Sequence, residues 1–475
     1  MLARAFLRPA LIGAGLTLIA TLAFNGYARA LVHDGVLDII KATATEQTIQ
    51  VVRELHLKHK VSFAVMTPDD LARMLAKQQP GDPPDYQIAA VGAAGAMLGM
   101  FPNDVDLKAA SIETLKNQLL AFYDFRSKKM VVIDSGDQST TSKIESVLER
   151  SGQRDYLGYL ILAHEFTHAL QDQNFHIGDM LQRLSGDSDR ELAMRAVAEG
   201  DATLAGWGYA LGKMDASTVA MLDSHVDDAT RAYAMHPEKA SIVAFAYFNF
   251  PYTQGLRFVA EAYKRGGWAA VNDLYRNPPQ STAQIIDPAL YFDHPTLPLE
   301  VNLTGYQPLI KDWRAVTSDT NGELAVQVIL QRNFGMGAQE VALARAWTGD
   351  RLVILQKDRE IAALWLIVFR DEASARAFST VYARVLDRTL GGHTPHRVQA
   401  HSNAVLVIAG GLARNSSLAP AIWEASSVRT PMPGGRTDLT AAPKLPASVL
   451  PAAPEQATLM SRLMNAIHGS GFPAH

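Results

Sequence analysis

The run His164-Glu165-Phe166-Thr167-His168 constrains what this chain can fold into more than any other stretch. Histidines four residues apart lie one turn from each other on one helix face, close enough for a single tetrahedral metal ion to take both imidazoles. Glu165 stands beside the first of them, within reach of a water at that ion. The surroundings predict a helix over residues 155–175: there is no proline, Gly158 is the one glycine, and Leu157, Leu160, Ile161, Phe166, Ala169 and Leu170 recur at helical spacing. Asp155 is the expected N-cap. Burying three ionisable groups on an apolar helix is costly unless something neutralises them, and one Zn²⁺ satisfies all three.

A catalytic zinc takes three protein ligands and keeps one position open. The acids available downstream are Asp187, Asp189, Glu191, Glu199 and Asp201. Glu199 is the expected third ligand, because Arg195-Ala-Val-Ala-Glu-Gly-Asp-Ala-Thr-Leu is an alanine-rich helical run whose small side chains let two helices pack closely. Glu191, two turns earlier on nearly the same face, is the second choice. Asp172, one turn past His168, is a candidate acceptor for a ligand imidazole. A second electrophile usually assists such a hydrolysis. Tyr252, in a Pro-Tyr turn, is the first candidate, with His225, His236 and Tyr209 as alternatives.

These residues resemble the gluzincin division of the zincin metallopeptidases, in which an H-E-x-x-H helix is joined by a downstream glutamate. Ala198-Glu199-Gly200-Asp201-Ala202 is similar to the Glu-Gly-centred ligand helix of aminopeptidase-type gluzincins. The string from His164 to Phe175 looks like a poorly characterised family of exported bacterial metallopeptidase-like proteins. So do Gln118-Leu-Leu-Ala-Phe-Tyr-Asp124, Pro251-Tyr-Thr-Gln-Gly255, Gly266-Gly-Trp268 and Tyr275-Arg-Asn-Pro-Pro-Gln-Ser-Thr-Ala-Gln284. Together these segments cover residues 50–300, with weaker likeness to 380. Where such proteins read Leu-His-Pro, this chain has Ile286-Asp287-Pro288. The resemblance implies a zincin-like catalytic domain and a peptidase site, and it implies no particular substrate.

The expected fold class is therefore α+β and mainly helical, with a small sheet beside the active-site helix and a small α+β domain after it. The hairpin formed by Phe122-Tyr123 and Met130-Val-Val-Ile133 is the candidate for that sheet, whose edge could hold substrate backbone by strand addition. The expected activity is hydrolysis of peptide bonds, with one zinc per chain, Glu165 as general base, and a peptide or protein as substrate. Two other classes compete with it. One is a zincin-fold protein without turnover that keeps zinc for structure or binds a partner in the cell envelope; the other is an envelope binding module with an accidental motif. Retention of Glu165 favours catalysis.

Arg4 and Arg8 precede an apolar run over residues 10–24, and Ala28-Arg29-Ala30 is a small-x-small cleavage site. Residues 1–30 therefore read as a secretory signal peptide, with an uncleaved membrane anchor as the alternative, and the expected location is periplasmic or secreted. The chain has no cysteine, which leaves histidine and carboxylate as the strong zinc ligands. With 44 basic against 48 acidic residues, nothing points to nucleic acid. The expected division is a catalytic domain over 31–312, a small α+β domain over 313–425, and a Pro/Ala-rich, largely flexible tail over 426–475. Within the second domain the pattern predicts a helix over 322–333, strands at 351–355, 362–369 and 404–409, and a helix over 372–386.

Overall fold

The computed structural model describes residues 32–431 apart from 34–35, 38, 78–84, 102–105, 119–120, 135–153, 185, 213, 216, 223–241 and 336. The expected signal segment over 1–30, His225, His236 and the chain from 432 onward lie outside the described residues. The fold is mixed α+β and mainly helical.

Four helices meet around the histidine motif: α1 (Ile39–Arg53), α5 (Arg154–Phe175), α7 (Ser188–Leu211) and α8 (Ile242–Arg276). Helices α2 (Pro68–Ala76), α3 (Asp85–Met97), α4 (Leu107–Gln118) and α6 (Ile177–Arg183) complete this half. Local sequence fixes several of the boundaries. Thr67 caps α2 by accepting the Asp70 N–H while Asp70 accepts the Thr67 N–H, and Pro68 opens the helix. Asp187 caps α7 through the Arg190 N–H, and Gly212 ends it in the left-handed region at φ 68°. Helix α5 already includes Arg154, so Asp155 lies inside it and is not the cap.

Helix α7 packs against both α5 and α8, and its small residues set how closely. A methyl group on Gly200 would overlap the backbone of Gly255, and one on Gly255 would overlap the backbone of Ala196. The α7–α8 crossing is thus main chain against main chain. Helix α8 breaks at Gly266 and Gly267, where Gly267 takes φ 61°, and Trp268 packs the corner against Tyr263 with ring centroids 4.9 Å apart.

Strands β1 (Ser62–Met66), β2 (Ala121–Asp124) and β3 (Lys129–Ile133) form a sheet in the order β1-β3-β2, parallel between β1 and β3 and antiparallel between β3 and β2. The expected hairpin is therefore present, and its edge strand β2 lies alongside α5.

The second half is built on a five-stranded antiparallel sheet. Its members are β5 (Arg314–Asp319), β6 (Trp347–Lys357), β7 (Glu360–Phe369), β8 (His396–His401) and β9 (Ala404–Ala409), in the order β8-β9-β7-β6-β5. Along β7 the side chains alternate between two cores. Ala363, Trp365, Ile367 and Phe369 join the larger core with Phe378 and Tyr382 of α9 (Glu372–Leu390), while Leu364, Leu366 and Val368 join a smaller one with Tyr306 and Ile422. Both faces are covered, which explains the unbroken apolar run in that strand. The edge strands β5 and β8 were not expected.

The boundary expected near 312 does not seal the two units apart. Helix α3 lies against β5, β6 and β7, the Tyr382 hydroxyl donates to the Leu98 carbonyl at 2.9 Å, and one core runs from Ala42 to Ala409. Residues 427–429 form β10 (Ser427–Arg429), which pairs antiparallel with β4 (Glu300–Asn302).

Candidate metal centre

Helix periodicity puts His164 and His168 on the face of α5 that meets α7, where Glu199 faces them. His164 Nε2 lies 3.1 Å from His168 Nε2 and 3.1 Å from Glu199 Oε2, and His168 Nε2 lies 3.3 Å from the same oxygen. Three ligands each about 2.0–2.1 Å from a tetrahedral zinc would be about 3.3 Å apart. The triangle of donor atoms thus has the size of one face of a zinc tetrahedron, and among the described residues this is the group able to hold a metal ion. All three are buried. Of the other acids considered, Glu191 accepts two hydrogen bonds from Arg195, Nε at 3.0 Å and Nη2 at 2.7 Å, and Asp201 is engaged by Arg53, whose Nε lies 2.6 Å from its Oδ1.

The protonation directions follow from the closeness of these groups. Burial pushes the Glu165 carboxyl up, against the opposing pull of His168 and His164. For His168 burial alone would lower the pKa, but Glu199, Glu165 and Gln171 together lift it to about 9.

Glu165 is oriented from the sheet: its Oε2 accepts the backbone N–H of Tyr123, on the outer edge of β2, at 2.9 Å. The next residue but one, Phe125, sets its ring edge-on to His168 with centroids 6.2 Å apart. Gly178 makes room for it, since an added Cβ would come 3.0 Å from the Phe125 Cβ. Tyr252 stacks on His164 at 5.9 Å and 24°, and its hydroxyl is hydrogen-bonded to Glu199. Burial and the two nearby glutamates hold that hydroxyl well above the usual tyrosine range, so it stays a donor. Tyr209 is elsewhere, hydrogen-bonded to Thr45 on α1.

Asp172 does not hold a ligand imidazole. Its Oδ2 accepts the Tyr123 hydroxyl at 3.1 Å and the Lys128 ammonium at 2.8 Å, tying the hairpin to α5. The partner of His168 is Gln171, whose Oε1 lies 2.9 Å from Nδ1. Sequence reasoning passed over Gln171, although its place three residues after His168 on a buried face was the available signal. The backbone donor of Tyr123 left no trace in residue type at all.

Fold and site together define a mainly helical α+β protein with a buried His-His-Glu group and a carboxylate next to it. Residues 308–421 match a domain of unknown function, DUF8575. That match covers the five-stranded sheet and none of the residues of the metal centre. No curated protein and no solved structure matches the chain.

Proposed function

We propose that the chain is a zinc-dependent peptidase of gluzincin type, exported through its N-terminal segment, with His164, His168 and Glu199 as the zinc ligands. The observation that carries this is the triangle of donor atoms, 3.1 to 3.3 Å on a side, with Glu165 adjoining it. Zinc held there would supply Lewis acidity to a scissile carbonyl and make water acidic enough to attack near neutral pH. Glu165, held by the Tyr123 N–H, accepts the proton of the attacking water and returns it to the leaving amine. Tyr252, kept protonated beside Glu199, is a donor for the oxygen that gains charge. The outer edge of β2 runs along this site and suits an extended peptide added as a further strand. Three protein ligands rather than four among the described residues favour turnover over a purely structural zinc.

The test is zinc content of the purified protein beside its variants. Expected is about one zinc per chain, lost in His168→Ala and Glu199→Ala. Glu165→Gln should keep the zinc and hydrolyse peptides about 10²- to 10⁴-fold more slowly. A protein without zinc after zinc-replete purification sinks this reading, and zinc without peptide hydrolysis leaves the non-catalytic zincin-fold alternative.

A further inference from the structure

Resting on the zinc reading above, we infer that Gln171 is a positioning residue that holds His168 in the one ring state able to present Nε2 as a ligand. The reasoning begins with the amide. Gln171 Nε2 is 2.9 Å from the Ala198 carbonyl oxygen and 3.1 Å from Asp201 Oδ2. A carbonyl and a carboxylate only accept, so the NH₂ group must face them and the amide oxygen must face His168. That oxygen only accepts as well. The hydrogen bond at 2.9 Å therefore requires a proton on His168 Nδ1, which leaves Nε2, aimed at Glu199 and His164, as the atom available to a metal.

Asp201 gives the amide its direction because nothing in its surroundings allows it to act as a donor. Its two oxygens accept Arg53 Nε at 2.6 Å, Arg53 Nη2 at 3.1 Å, the Tyr275 hydroxyl at 2.6 Å and Gln171. Oδ1 accepts one of these four donors and Oδ2 the other three, and each of the three partners stands on a different helix: α1, α8 and α5. Arg53 is fixed in turn by Asn272 Oδ1 at 2.8 Å and by the Trp268 ring, 4.4 Å below its guanidinium. Arg53 and Asp201 are both fully buried, so solvent cannot loosen the pair. The chain from Arg53 through Asp201 and Gln171 to His168 thus converts helix packing into a ring orientation. An amide orients the imidazole without adding a second carboxylate beside Glu199.

Two readouts test this on the full chain. Zinc dissociation constants, measured by competition with a chromophoric chelator, should weaken about 10- to 100-fold in Gln171→Met, with the chelator-treated proteins unfolding at similar midpoints. Nitrogen-15 histidine spectra of the parent should show an exchange-protected proton on His168 Nδ1, assigned by its loss in His168→Ala. Unchanged zinc affinity in Gln171→Met, or a His168 Nδ1 without a proton, overturns the inference. If Gln171→Met does not fold, the parent spectrum decides. A parent that binds no zinc removes the peptidase reading, and the same spectrum still decides the role of Gln171.

Discussion

Helix α7 buries Glu191, Arg195, Glu199 and Asp201 at no more than 2% exposure, whereas strand β7 buries every residue from Ala362 to Phe369 without one charge. The first region is held by directional partners and the second by packed area. A buried charge tolerates no approximate partner, so each of these four is matched to particular atoms of α1, α5, α8 or the neighbouring turn of α7. An aliphatic strand only needs volume filled on both sides. The family match falls on the second region and the chemistry on the first. A scaffold of packed area can thus accompany a site without carrying any part of it.

The largest expected effects separate the two regions. Asp201→Ala leaves Arg53 buried and unpaired, which should cost about 3–5 kcal/mol by urea denaturation and weaken zinc binding as well. Leu366→Ala, fully within the smaller core, should cost about 2–5 kcal/mol and leave the zinc dissociation constant unchanged. Equal loss of zinc affinity in both variants would erase the distinction.

A smaller effect sits where the regions meet. Asp319, at the end of β5, accepts the Ser188 N–H at 2.8 Å and the Ser188 hydroxyl at 2.6 Å at the start of α7. Burial nevertheless pushes its carboxyl up to about 7, and burial pushes Glu323 up to about 8. Both pKa values exceed those of the unfolded chain, so the folded protein keeps protons that the unfolded chain has released. Their contribution to stability is complete below about pH 4 and is lost as pH rises through about 7 and then about 8. Stability should fall by on the order of a few kcal/mol across that window. Asp319→Asn should flatten its lower part, and an unchanged pH profile would show that the junction does not titrate this way.

The smallest effect is expected at the rim. Lys128 pairs with Asp172 but its side chain is 54% exposed, so Lys128→Ala should change stability by about 1 kcal/mol or less. A greater loss would mean that the hairpin depends on this tie, and with it the hold of Tyr123 on Glu165.

What the sequence revealed follows the range of each signal. His164, His168 and the strand at 362–369 are written in local periodicity, and Glu199 in a run of small residues. Gln171 and Asp172 are one position apart after His168, and sequence spacing could not decide between them. That choice depends on Asp201, Tyr123 and Lys128, which come from other elements. The strands at 314–319 and 396–401 escaped notice because they are edges. In Arg314-Ala-Val-Thr-Ser-Asp and His396-Arg-Val-Gln-Ala-His, polar residues interrupt the apolar pattern where one side meets no neighbour.

The contact of Gly200 with Gly255 has a consequence for how this protein can vary. Because backbone touches backbone there, the gap between the element bearing Glu199 and the element bearing Tyr252 is set by the radii of main-chain atoms, which no substitution elsewhere can alter. Side chains throughout the surrounding core can drift over evolutionary time while that spacing stays fixed. The two glycines act as a ruler, and replacing either one lengthens it.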